Sequence, residues 1–215
     1  MNVETDRALV AADTPAVRYC TVLVHAPAPG ASDPRDAELI IRDSHGVKTT
    51  CLNDLPVDED VDGLHIRLGD LAAGQDVTLV LATEIGARAE GASTAILLRL
   101  ADRDRVLYGA PMDVPWLVVD AAANRTQPVN RSVVVAAATL LAARARDEAR
   151  ALDRVGAPAR AEAVRKRAVA KIRELAADMR EVNAIANGLE DAAIPLIALG
   201  ASRRTQPAAG DCARV

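Results

Sequence analysis

The sequence predicts an α+β chain: an antiparallel β-sandwich, Ig-like in general architecture, followed by an α-helical hairpin. Three observations predict it. Short β-branched and aliphatic runs recur with turn residues between them up to residue 123. After Asn130 the apolar spacing changes from two to steps of three and four. A break at Gly156-Ala157-Pro158 then divides the second half into two helical stretches.

The strands follow in order. Ala16 to His25 is rich in β-branched residues, and Asp36 to Asp43 and Gly63 to Leu68 come next. In Gly63–Leu68, Leu64, Ile66 and Leu68 alternate with His65 and Arg67, the period of a half-buried strand. Asp76 to Thr83, Ser93 to Leu100, Arg105 to Tyr108 and Val114 to Asp120 complete the set. Turns are expected at Ser44-His45-Gly46, Asp62-Gly63, Ala73-Gly74 and Asp102-Arg103-Asp104. Strands this close together, with no helical stretches between them, predict antiparallel pairing rather than βαβ units. Ala26 to Arg35, rich in Pro, Gly and Ala, is expected to be a loop.

Residues 130–200 are expected to form the helical hairpin with a short third helix. Val133, Ala137, Leu140, Leu141, Ala145, Ala149 and Leu152 make one apolar stripe. Val164, Ala168, Ile172, Leu175, Met179, Val182 and Ala186 make a second, closed by Asn187-Gly188. Pro158 suits the first turn of the helix that carries it. The tail, residues 201–215, is small, polar and proline-containing, and is expected to be disordered.

Composition narrows the function. Half of the 215 residues are hydrophobic, yet Phe is absent and the aromatics are Trp116, Tyr19 and Tyr108, so the core is aliphatic and alanine-rich. A net charge of −4 argues against general nucleic-acid binding, which needs a basic excess. No apolar run approaches the ~20 residues of a membrane span. Met1 to Arg7 lacks the apolar core of a signal peptide. Cys20, Cys51 and Cys212 are odd in number and carry no C-x-x-C pair, which predicts reduced thiols in a cytoplasmic protein.

The candidate sites each meet an ordinary alternative. Asp58-Glu59-Asp60-Val61-Asp62-Gly63 opens like a calcium loop, but its twelfth position is Gly69 where a bidentate acid is needed. An acidic hairpin turn explains it, and a calcium-responsive module through Asp58, Asp60 and Asp62 is the alternative. His25, His45 and His65 lack metal-ligand spacing. No nucleophile elbow, phosphate loop or dinucleotide fingerprint occurs. An enzyme would need a site assembled from scattered residues such as Asp62, His65 and Asp70. Arg160, Arg165, Lys166, Arg167, Lys171 and Arg173 form a basic helix segment, with Glu162, Glu174 and Asp178 placed to pair on a solvated face. The other reading of that segment is an acidic protein partner.

Three stretches carry a family resemblance: Thr5-Asp6-Arg7-Ala8-Leu9-Val10 with Val17-Arg18-Tyr19; Leu55-Pro56-Val57 with Asp62 to Gln75, which includes Leu68-Gly69-Asp70-Leu71; and the helices from Val133. Together they resemble the regions flanking the A domain in bacterial von Willebrand factor A domain proteins of the calcium-activated chloride-channel-like type. In those proteins an A domain with an Asp-x-Ser-x-Ser metal motif lies between the first strands and the rest. Here Ala26 to Arg35 stands at that point, and Asp-x-Ser-x-Ser occurs nowhere. The resemblance therefore implies a platform without the family's metal-dependent site. The expectation is a non-catalytic scaffold that contacts a protein partner or a second copy of itself. No catalytic, cofactor-binding or metal-binding residue is assigned, and no cofactor, nucleic acid, membrane or small-molecule substrate is expected.

Overall fold

A computed structural model describes residues 1–28, 33–107, 109–176 and 178–191. In chain order the strands are β1 (Asn2–Thr5), β2 (Leu9–Ala11), β3 (Ala16–His25), β4 (Ala37–Asp43), β5 (Val47–Cys51), β6 (Val57–Asp60), β7 (Gly63–Gly69), β8 (Asp76–Ile85), β9 (Ser93–Ala101) and β10 (Met112–Val119). They form two mostly antiparallel sheets, ordered β1-β3-β8-β5 and β2-β10-β9-β4-β7-β6. Among the described residues the one parallel pair is β2 with β10. The chain therefore changes sheet between β1 and β2, at Asp6-Arg7-Ala8.

Alternation sets the core. In β9 Thr94, Ile96, Leu98 and Leu100 point inward, and in β10 Val114, Trp116 and Val118 do. Ile96, Leu98, Leu100, Val114 and Trp116 of these meet Cys20, Val22 and Val24 of β3 and Leu79, Leu81 and Ile85 of β8 in one buried cluster shared by both sheets. Gly63 makes the β6–β7 turn possible: its φ is +131°, and a β-carbon there would overlap the Ile41 carbonyl oxygen.

The middle residues of β3 and β8 are buried consecutively rather than alternately. The reason lies in the helices, α1 (Ala121–Thr126), α2 (Arg131–Arg154), α3 (Pro158–Leu175) and α4 (Arg180–Asp191). The first turn of α2 is capped by Asn130, whose side chain accepts from the Ser132 and Val133 amides. Val133 and Ala137 of α2 then pack on Tyr19, Val80 and Ala82, the outer face of the first sheet. Val134, Ala138, Ala142 and Ala145 turn the other way, onto Val169 and Ile172 of α3 and Val182, Ala186 and Leu189 of α4. Alanine at these positions lets three backbones approach closely. Gly156, at φ +74°, turns the chain from α2 into α3.

Three local expectations change. Arg105 to Tyr108 is not a strand over its described residues: Asp102 accepts the Val106 and Leu107 amides, and Arg105 has φ +59°, so the chain turns there. Tyr108 itself lies outside the described residues. The second apolar stripe is divided between two helices, because α3 ends at Leu175 and Ala176 takes an extended conformation. Both sides of that break stay buried, which is why the stripe reads as continuous. Gly188 does not close a helix, since α4 continues to Asp191. β1, β2, β5, β6 and α1 are too short or too polar to show a period. Residues 29–32 of the expected loop and the whole 201–215 tail lie outside the described residues.

Candidate functional site

The acidic turn is occupied by partners within the chain. Asp58 and Asp60 lie in β6, and each faces a base on β7: Asp58 pairs with Arg67, and Asp60 Oδ1 lies 3.0 Å from His65 Nε2. Asp62 pairs with Arg42 of β4 at 2.5 Å. The other His65 nitrogen, Nδ1, lies 3.2 Å from Glu38 Oε2. Partial burial works against a charged ring here, but the hydrogen bonds and charges of Glu38 and Asp60 outweigh it and raise the His65 pKa. The Asp62 amide, aided by His65, holds the Asp60 carboxyl below its usual value. These charges clip an edge strand onto its sheet.

The remaining predicted residues do not converge. His25 pairs with Asp76 across the β3–β8 ladder at 2.7 Å, while His45 sits in the β4–β5 turn, where its carbonyl accepts from Arg88. Asp70 follows β7 and accepts the Asp36 amide, five residues and roughly 17 Å of extended chain from His65. Among the described residues no three His, Cys, Asp or Glu groups are placed to hold a metal ion. Cys20 and Cys51 both face the core and flank Leu81 on its two sides in the sheet. Their separation is two strand spacings, about 9.6 Å, too far for a disulfide. Burial pushes the Cys20 thiol up to about 12 and raises that of Cys51. Cys212 lies outside the described residues.

Sequence reasoning missed a buried polar knot around Asp6 and Arg18. Asp6, at the crossing between sheets, exchanges hydrogen bonds with Tyr19: its amide donates to the Tyr19 carbonyl and its Oδ1 accepts the Tyr19 amide, at 2.8 and 2.9 Å. Its own carbonyl accepts the Asn130 amide at 2.9 Å, tying it to the cap of α2. Arg18 donates to the carbonyls of Leu9 and Val17 and to Asn124 Oδ1. Gln127 closes the knot, donating to the Leu9 carbonyl and accepting the Leu9 amide. Asp6 and Arg18 are 5% and 6% exposed, the two buried charges among the described residues. Desolvation raises the Asp6 pKa against the opposing pull of the Tyr19 amide and Arg18, and it lowers that of Arg18. The one sequence signal for this knot is Arg18 inside the otherwise apolar run of β3.

A cleft of about 280 Å³ lies beside the knot, bounded by Arg7, Pro15, Val17 and Tyr19 on the sheet side and by Lys171, Glu174 and Leu175 of α3. Chemically it offers mixed charge on an apolar wall. Along α3 the basic residues divide into two sets. Arg165 pairs with Asp153 at 2.5 Å, Lys166 with Glu162 at 3.2 Å, and Arg173 with Glu190 at 2.7 Å. Arg160, Arg167 and Lys171 have no ion pair among the described residues.

With this geometry in place, comparison with known proteins gives little. No family model matches the chain, and no curated protein matches it. Among solved structures it is similar to a family 123 glycoside hydrolase from Clostridium perfringens, at 10% identity and a TM-score of 0.29, over 51% of this chain and 22% of the hydrolase. It is also similar to AvmM, which catalyses macrocyclization in alchivemycin A biosynthesis, at 10% identity and 0.28, over 56% and 89% of the two chains. A PapD-like domain of human CEP192 matches at 9% identity and 0.26, over 55% and 86%. At these scores none assigns a fold family or an activity. Among the described residues no helix is long and apolar enough to cross a membrane.

Proposed function

We propose that the chain is a non-catalytic protein-interaction scaffold, in which an Ig-like β-sandwich holds an antiparallel helical hairpin at a fixed angle for a partner or a second copy. The observation that carries this reading is the knot at Asp6 and Arg18. Arg18 reaches from β3 to Asn124 of α1, the backbone carbonyl of Asp6 accepts the amide of Asn130 at the start of α2, and the Asp6 carboxylate holds the Tyr19 amide, so the bonds around the two buried charges fasten helices to sheet. In a catalytic site such groups would be aimed at a reacting atom instead.

The helices also reach past their support. The sheet-side residues of α2 end at Arg144, which donates to the Cys51 carbonyl at 2.8 Å. The helix continues ten residues to Arg154, about 15 Å, with Asp147, Glu148 and Ala151 exposed on that side. A projection fastened at its base suits a contact surface. The resemblance to the flanks of von Willebrand factor A domains supports the same reading, with residues 26–35 as the place where those proteins carry their A domain.

Photo-crosslinking tests it. A benzoylphenylalanine at Ala151, on the projection, is expected to trap another polypeptide or a second copy in cells. The same group at Asp113, on the exposed face of β10, is the control. Absence of adducts at 151, or equal adducts at both positions, would refute the proposal.

A further inference from the structure

The groove between α2 and α3 says more about the partner, and this inference rests on the scaffold reading. We infer that the groove docks an acidic amphipathic segment of another protein. Its floor is apolar, made by Leu141 and Ala145 of α2 and Val164 and Ala168 of α3, and it encloses about 170 Å³. That space takes one aliphatic side chain.

The rim decides the charge. Arg160, Val164, Arg167 and Lys171 follow at steps of four, three and four, so they share one face of α3. These three cations are the ones that α3 leaves without an ion pair among the described residues, whereas Arg165, Lys166 and Arg173 on its other sides are paired. Arg167 and Lys171 both line the groove and stand one turn apart. Lys171 also borders the cleft at Arg7, so the positive rim runs on toward the sheet. Glu148 is the single carboxylate lining the groove. A helix presenting one Leu between two acids a turn apart complements this pattern, with its side chain on the floor and its carboxylates on Arg167 and Lys171.

Nucleic acid fits less well. The apolar floor calls for an aliphatic side chain rather than a phosphate backbone, and no aromatic side chain lines the groove to stack a base.

Fluorescence anisotropy with the full chain tests the assignment. The probe is a fluorescein-labelled synthetic peptide of about four helical turns, with Leu and Glu on one face. Controls are a scramble of the same composition and labelled oligo(dT). The amphipathic peptide is expected to bind at least about tenfold more tightly than its scramble. The double variant Arg167→Glu/Lys171→Glu, whose sites lie at the surface, is expected to lose about tenfold or more, as two attractions become repulsions. A peptide with Lys in place of Glu should regain binding to that variant. The inference fails if no peptide binds, if scramble and peptide bind equally, if charge reversal changes nothing, or if oligo(dT) binds more tightly. Crosslinks from Ala151 that persist in the charge-reversed variant would leave the scaffold reading standing while removing this groove from it.

Discussion

Replacing Asp6 separates two jobs that one side chain performs. Its Oδ1 accepts the buried Tyr19 amide, and its charge sits in a site that disfavours ionisation. Asp6→Ala removes the acceptor and leaves the Tyr19 N–H buried without a partner, which costs about 1–3 kcal/mol. For a chain of this size that corresponds to a fall in Tm of roughly 2–12 °C. Asp6→Asn keeps an amide oxygen for the same donor and removes the charge, so at neutral pH it should be neutral or stabilising. The sign follows from linkage: a carboxyl raised in the folded state binds its proton more tightly there than in the unfolded chain. Wild-type stability from this group is therefore greatest at low pH. It declines as pH rises above the unfolded Asp value of about 3.9, and the decline ends above the raised folded value. Urea titrations read by Trp116, the only tryptophan and fully buried, report all three proteins. If Asp6→Asn loses as much as Asp6→Ala, or if the wild-type-minus-Asn difference is flat from acid to neutral pH, this account of the knot is wrong.

His65 has the opposite sign. Its raised folded pKa gives stability that is fully present below about pH 6.5 and lost as pH rises through the folded value, so His65→Gln should lose more in urea at acid than at alkaline pH. Ala142 is fully buried between α2 and its neighbours, so Ala142→Leu should cost about 1–3 kcal/mol by overpacking, while Ala151→Leu on the exposed side changes urea midpoints little. Gly63→Ala meets both a positive φ and the Ile41 carbonyl, and a Tm loss comparable to that of Ala142→Leu is expected by calorimetry. In a Cys212→Ser background, native Cys20 and Cys51 should resist both Ellman's reagent and oxidative pairing until the chain unfolds; a disulfide formed in the native state would contradict their placement.

How much was legible depended on whether a residue's role repeats along the chain. In β9 and β10 alternate residues face one core, so Thr94 to Leu100 and Val114 to Val118 announce their strands in the bare sequence. The two apolar stripes, one along α2 and one running through α3 into α4, announce helices for the same reason, at a different period. The acidic turn gave its carboxylates but not its whole charge network, because Arg42, which pairs with Asp62, and Glu38, which shares His65, come from a strand twenty or more residues away. Of the basic helix, sequence supplied the count of charges, and only packing showed which three stay unpaired.

The sequence by itself determined the change from strand to helix near Asn130, the aliphatic core and the absence of any familiar catalytic motif. Local patterns record these, since each depends on near neighbours. Tertiary structure decided that α2 covers the outer face of the first sheet, which buries β3 on both sides and masks its alternation. It also decided that Asp6 and Arg18 meet Asn124, Gln127 and Asn130 in one knot. Those contacts span more than a hundred residues, and a hydrogen bond between distant residues leaves no period to read.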